Sequence, residues 1–272
     1  MGRPLLLLLA LTSAYSFQSL RRPPARSVSI RRMSEQQDED LVSRLFKRFL
    51  PDPESMGMKR ISVETAPEQY YATKDRWAEP VEGDDPNVAL FRPCMAQTKW
   101  ETRKLKVGYD AEKDGWNAEA FHRAVDKQGP AVVFCRSASG GVFGGYNPKG
   151  WVNYGEYRGS LAAFLFTWPD GDTSKRPVKL TKVGGAGLAQ VDDGSGPKFG
   201  SEGLTIPLNP EKNPRIVRSK LGAYYERMPG EGKSLLPGGI PADELVELKV
   251  YLGVYEEGEY VPFTDAEPFA LN

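Results

Sequence analysis

The chain has 272 residues, with 36 Lys and Arg against 36 Asp and Glu, a formal net charge of zero, and 40% hydrophobic residues. It holds two cysteines and one histidine, too few by themselves for a structural zinc site, which takes four N or S ligands. This composition excludes a strongly basic nucleic-acid-binding protein and favours a globular domain with 28 glycines and 22 prolines to spend on turns.

In chain order, Arg3 precedes an apolar run from Leu5 to Leu11 that is too short to span a bilayer and ends in small residues at Ala14-Tyr15-Ser16. This predicts a signal peptide over residues 1–16. Residues 17–32, FQSLRRPPARSVSIRR, carry five arginines, three serines and no acid, which is transit-peptide composition. The A-Y-S-F junction resembles the two-part leader of algae with secondary plastids, so the expected location is the plastid. An ordinary signal peptide with a basic linker, giving a secretory or endomembrane location, is the alternative. Without residues 1–32 the chain is mildly acidic, which argues further against non-specific binding to nucleic acid.

Residues 33–104 read as an N-terminal extension. Leu41, Val42, Leu45, Phe46, Phe49 and Leu50 recur at helical spacing over residues 39–50, and Pro51 and Pro53 stop the helix. Such a helix either docks on a partner or membrane surface or packs on the domain itself. PVEGDDP reads as an acidic, solvated loop; Glu82, Asp84 and Asp85 do not have the spacing of a calcium loop.

The core begins at LKVGYD, where alternation puts Leu105, Val107 and Tyr109 on one face of a strand. Asn117 is placed to cap a short helix, with Trp116 stapling onto Phe121 and a stripe of Ala118, Phe121, Ala124 and Val125. AVVFC is a buried strand, and further strands are expected near residues 178–183, 187–191 and 204–208. In VELKVYLGVY, Val246, Leu248, Val250, Leu252 and Val254 alternate with Glu247, Lys249 and Tyr251, which is the clearest strand of all. Many short strands and few helices predict a mostly β, α+β fold: a two-sheet antiparallel sandwich flanked by short helices. Residues 256–272 form an acidic tail.

The central stretch, GGVFGGYNPKGWVNYGEYRGSLAAFLFTW, opens with two glycine pairs that suit a tight reversal around Phe143. It continues through a loop dense in aromatics and closes on a buried strand. The same residues resemble the signature of the TLDc domain, named in oxidation-resistance and nuclear-receptor-coactivator proteins. LKVGYDAEKDGWNAEAFHRAVDKQGPAVVFCR resembles that domain's entry, and GPKFGSEGLTIPL with LKVYLGV its closing half, so the likeness covers residues 105–255. GGYNPKGWVNYGEYRGS is closer to plant and algal members. The resemblance implies a β-sandwich without catalytic machinery that protects against oxidative stress through protein contacts. It also implies, as family precedent, the vacuolar-type proton pump as a partner, a compartment that a plastid-targeted chain does not share. The signature residues expected to build the fold are Trp116, Phe121, Gly140, Gly141, Phe143, Gly144, Gly145, Tyr146, Trp151, Gly159, Ser160, Phe164, Phe166, Phe199 and Gly200.

Chemistry-bearing motifs are sparse. His122 has no nucleophile elbow such as G-x-S-x-G to serve. Cys94 and Cys135 lack C-x-x-C or a helix N-terminus, and Cys135 reads as a small hydrophobe in a strand. GGVFGGY and VGGAGLAQVDDG lack the order and the following helix of a dinucleotide loop. No catalytic, cofactor or metal residue is assigned. Three readings stay open: a protein-contact module, a redox or enzymatic protein using Cys135 or His122, and a ligand-binding sandwich. In the last, the loop between Tyr146 and Tyr157 would stack on sugars, or Glu202 would pair with Asp192 or Asp193.

Overall fold

The computed structural model describes residues 62–63 and 66–264, all within one compact unit. The leader and the amphipathic segment 39–50 lie outside the described residues. Among those described, no helix is long and apolar enough to cross a membrane.

Strand β11 (Ala242–Gly253) is the spine, and its length lets it belong to two sheets. Its second half pairs antiparallel with β1 (Leu105–Asp110) on one side and β2 (Ala131–Ser137) on the other. From β2 the sheet continues through β3 (Val142–Asn147), β5 (Phe164–Trp168) and β6 (Val178–Thr181). The first residues of β11 pair instead with β10 (Ile216–Arg218). That starts a second antiparallel sheet running through β9 (Leu204–Thr205), β8 (Lys198–Phe199), β7 (Gln190–Asp192) and β4 (Glu156–Arg158). This is the expected mostly β, antiparallel two-sheet architecture with few short helices.

A register shift between Leu245 and Glu247 marks where β11 changes sheets. An extra residue at such a bulge reverses which side chains point inward. Leu245 is therefore buried with Leu248, Val250 and Leu252, while Val246, expected on that same face, is 51% exposed. A second shift, between Val107 and Tyr109, does the same to β1. Leu105 packs on one face of the sheet and Tyr109 in the core of the other, so the simple alternation expected for LKVGYD does not hold.

Both faces of the main sheet are buried, and each has its own core. Val133, Cys135, Phe143, Leu165, Leu248 and Val250 point toward the second sheet and the short helices. Val132, Phe134, Phe164, Phe166, Trp168 and Tyr251 point the other way, against Val88, Phe91, Cys94, Met95 and Trp100. The segment that supplies this cover holds helix α1 (Pro86–Phe91), which begins where Asp85 accepts hydrogen bonds from the Asn87 and Val88 N–H groups. The expected acidic loop is only partly solvated: Glu82 and Gly83 are exposed, whereas Asp84 is not. Asp84 is a buried partner of Arg92, whose side chain is 0% exposed. Nε and Nη2 of Arg92 donate to the two carboxylate oxygens at 2.8 and 2.5 Å, and Nη1 donates to the Trp100 carbonyl at 2.5 Å. Burying a charge without such a partner costs several kcal/mol, so the pair is obligatory once the segment covers the sheet.

GGVFGGY is split: Gly140 and Gly141 complete a reversal, and the residues from Val142 onward are strand. The chain turns at residues 138–141, where Gly140 takes φ +87°, and Val142–Asn147 is continuous β3. Gly144 and Gly145 are there for close approach. A Cβ on Gly144 would stand 2.0 Å from the Val133 carbonyl oxygen and 2.6 Å from the Phe166 ring, and one on Gly145 would stand 2.7 Å from Phe199. The two glycines thus let one core seat Phe166 and the other Phe199.

Candidate functional site

The loop between β3 and β4 leads into the edge strand of the second sheet and is pinned by buried polar side chains. Asn147 turns it: its Oδ1 accepts from the Lys149 N–H at 3.0 Å and its Nδ2 donates to the Gly150 carbonyl at 2.9 Å. Gly150 has φ +64° and lies so near Gly129 that a Cβ would fall 2.0 Å from its carbonyl oxygen. Trp151 then enters the core, edge-on to Phe121 at 5.2 Å and to Phe199 at 6.4 Å. Its carbonyl accepts from the Lys127 N–H at 2.8 Å.

Asp192 at the end of β7 holds the next two residues. Its carboxylate accepts from the Val152 and Asn153 N–H groups at 2.8 and 3.0 Å and lies 3.9 Å from Arg158 Nη1. Arg158, from β4, spends its donors on the carbonyls of Lys149 and Gly150 at 3.2 and 3.1 Å. Burial raises the Asp192 pKa against the lowering effect of the two N–H groups and Arg158, and burial lowers that of Arg158.

His122 closes the arrangement from helix α3 (Ala118–Val125), which follows the short helix α2 (Ala111–Asp114). Asn117 caps α3 as the sequence predicts, its Oδ1 accepting from the Ala120 N–H at 2.8 Å; Phe121 and Val125 are buried, and Trp116 packs alongside. The His122 ring is 6% exposed, with Nδ1 2.8 Å from Asp126 Oδ1 and Nε2 2.7 Å from the Ser195 carbonyl oxygen in the β7–β8 turn. The Ser195 hydroxyl points elsewhere, to Asp193 Oδ1 at 2.6 Å, so the imidazole faces a carbonyl and not a nucleophile. Lys198 pairs with the other Asp193 oxygen at 2.6 Å.

The residues expected to build the fold lie in its interior or at its tight backbone contacts. Phe143, Tyr146, Trp151, Phe164, Phe166 and Phe199 are core side chains, and Ser160 is buried with its Oγ accepting from the Ala162 N–H at 3.1 Å. Gly141 and Gly200 are crowded by Pro237 and Tyr224, and Gly159 by the Ala186 carbonyl. Sugar stacking on Trp151 is thereby closed off. Of the aromatic side chains between Tyr146 and Tyr157 only Tyr157 projects, 70% exposed on the edge strand β4, with Tyr154 half-buried beneath Lys127. Glu202 does not face Asp192 across a cleft; it pairs with Lys220 at 2.9 Å.

Cys94 and Cys135 sit in different cores, on opposite faces of the main sheet. Burial pushes the Cys94 thiol up to about 12 despite the opposing charge of Lys179, and burial with Glu247 raises Cys135 well above its ordinary value. Both thiols are thus held protonated, the unreactive form. The second glycine run, VGGAGLAQ, turns its carbonyls inward. Lys182 Nζ donates to the Gly187 carbonyl at 2.8 Å, and burial lowers its pKa to about 8. A phosphate-binding loop presents N–H groups, the opposite polarity. Among the described residues, no three metal-ligating side chains gather.

Sequence reasoning missed the Asp84–Arg92 pair and the Asn147, Arg158 and Asp192 anchors. The signal available was a set of charged residues within or beside apolar stretches, which in a folded chain must find partners.

Fold and anchors together define a β-rich α+β module whose signature residues fill two cores and fix one aromatic loop. Residues 84–225, just over half of the chain, match the TLDc domain family. The chain belongs to that family. No curated protein matches it.

Proposed function

We propose that the chain is a non-enzymatic TLDc protein that contributes to protection from oxidative stress through protein contacts. Family membership supports the link to oxidative stress. The single observation that carries the non-enzymatic reading is the state of the groups a chemical mechanism would need. Both thiols are buried with raised pKa values, and both nitrogens of the one histidine are occupied. The test is survival of peroxide-treated cells that lack their own TLDc protein. A Cys94→Ala/Cys135→Ala variant that still folds, judged by its melting transition, is expected to protect as well as the wild type. Loss of protection with the fold intact would return a redox mechanism through a cysteine, and Cys135→Ala alone would then show whether Cys135 carries it.

The leader composition supports a plastid location, and the wording of the loop supports a plant or algal type of TLDc protein. A C-terminal fluorescent tag on the full chain, compared with a chain lacking residues 1–32, tests this. Plastid signal lost on truncation is the expected result and directs a search for partners within the plastid. Vacuolar or endomembrane signal would restore the vacuolar-type proton pump as the partner to test first.

A further inference from the structure

We propose that His122 is a pH-sensitive latch: as an imidazolium it ties α3 to the β7–β8 turn, and loss of its proton loosens that turn and the aromatic loop beside it. The geometry requires the charged ring. The Ser195 carbonyl at 2.7 Å can only accept, so Nε2 carries a hydrogen; the Asp126 carboxylate at 2.8 Å also accepts, so Nδ1 carries the other. Either neutral tautomer would point a nitrogen lone pair at an oxygen within hydrogen-bond distance. The latch therefore has one satisfied state.

The charges around the ring come from three elements. Asp126 stands at the end of α3 itself, and Asp192 acts on the ring from β7. Arg158 of β4 lies beyond Asp192, 3.9 Å from its carboxylate, and in the β7–β8 turn Asp193 is neutralised by Lys198. Arg123, the cation nearest along the helix, keeps its side chain 71% exposed. Removing the imidazolium leaves Asp126 and Asp192 to repel each other, with Arg158 close to only one of them. Burial opposes charge on His122, yet the Asp126 bond and charge, the Ser195 carbonyl and Asp192 outweigh it and lift the pKa above the ordinary 6.5.

The sign follows from that direction. A histidine whose folded pKa lies above its unfolded value contributes stability that is complete below the unfolded pKa and is lost as pH rises through the folded pKa. The lost part falls on a weakly fastened segment. The ladder between β7 and β8 is a single residue pair, Gln190 with Phe199. Asp192, one residue before the turn, also holds Val152 and Asn153. The surface carrying Tyr154 and Tyr157 is thus ordered on the acid side and loosened on the alkaline side.

Because His122 is the one histidine in the chain, its ring gives a single, unambiguous nuclear magnetic resonance titration in the full chain. The expected result is a midpoint above 6.5, with both ring nitrogens protonated below it. Amide exchange at residues 152–153 and 193–196, corrected for intrinsic rates, should accelerate through the same midpoint, by about tenfold for each unit the pKa is raised. Asp126→Asn should lower the midpoint. A midpoint at or below 6.5, a ring that stays neutral through the acid range, or protection that ignores the midpoint would each overturn the latch.

Discussion

Two buried acid–base arrangements fasten the two faces of the main sheet, and they differ in kind. On one face Asp84 and Arg92 form a two-pronged pair at 2.5 and 2.8 Å, with no histidine in it. On the other, Asp192 and Arg158 stand 3.9 Å apart, each mainly serving backbone groups, with His122 supplying the second positive charge. The first is a fixed clasp and the second a titratable one. The same need, to hold a loop over a sheet, is thus met with a two-pronged ion pair where the segment covers a core, and with a conditional charge where the loop reaches the surface.

The largest effect is expected from breaking the fixed clasp. Asp84→Ala strands a fully buried guanidinium and should cost about 3–5 kcal/mol by urea unfolding, whereas replacing Asp84 and Arg92 together by Leu should cost much less. Gly144→Ala, between the faces, forces a methyl against the Val133 carbonyl and the Phe166 ring and should cost about 1–3 kcal/mol or more. Asp192→Asn keeps an acceptor but replaces one carboxylate oxygen by a donor facing an N–H. It should cost about 1–3 kcal/mol in the same assay and speed exchange at Val152 and Asn153. The smallest effect is on slope. His122→Gln should lower stability modestly on the acid side and flatten its fall as pH rises through the wild-type midpoint, read as melting temperature against pH. Equal slopes in variant and wild type would mean the second clasp is as fixed as the first.

Much of the fold was legible because it rests on local pattern. Asn117 as a cap, the buried run AVVFC and the alternation of Leu248, Val250 and Leu252 all follow from near-neighbour spacing. What escaped was set by distant partners. Val246 and Tyr109 left their expected faces because bulges opposite β2 and β11 reset the register, and no single strand encodes its partner's register. Only the first glycine pair of GGVFGGY makes the turn, with Gly140 at positive φ; the second, Gly144 and Gly145, removes side chains between two aromatic layers. Asp84 looked solvated because its partner lies eight residues on, inside a segment whose burial depends on the sheet beneath. The candidate site was least legible, since it joins α3, β4 with the loop before it, and β7 with the turn after it, from three stretches of chain.

Hydrogen exchange followed by mass spectrometry, on the full chain at about pH 5.5 and about pH 8.5 with intrinsic rates corrected, compares the two clasps in one experiment. The account predicts unchanged protection for the segment 86–100, under the Asp84–Arg92 clasp, and loss of protection for residues 152–153 and 193–196 at the higher pH. An equal response on both faces, or none on either, would contradict it.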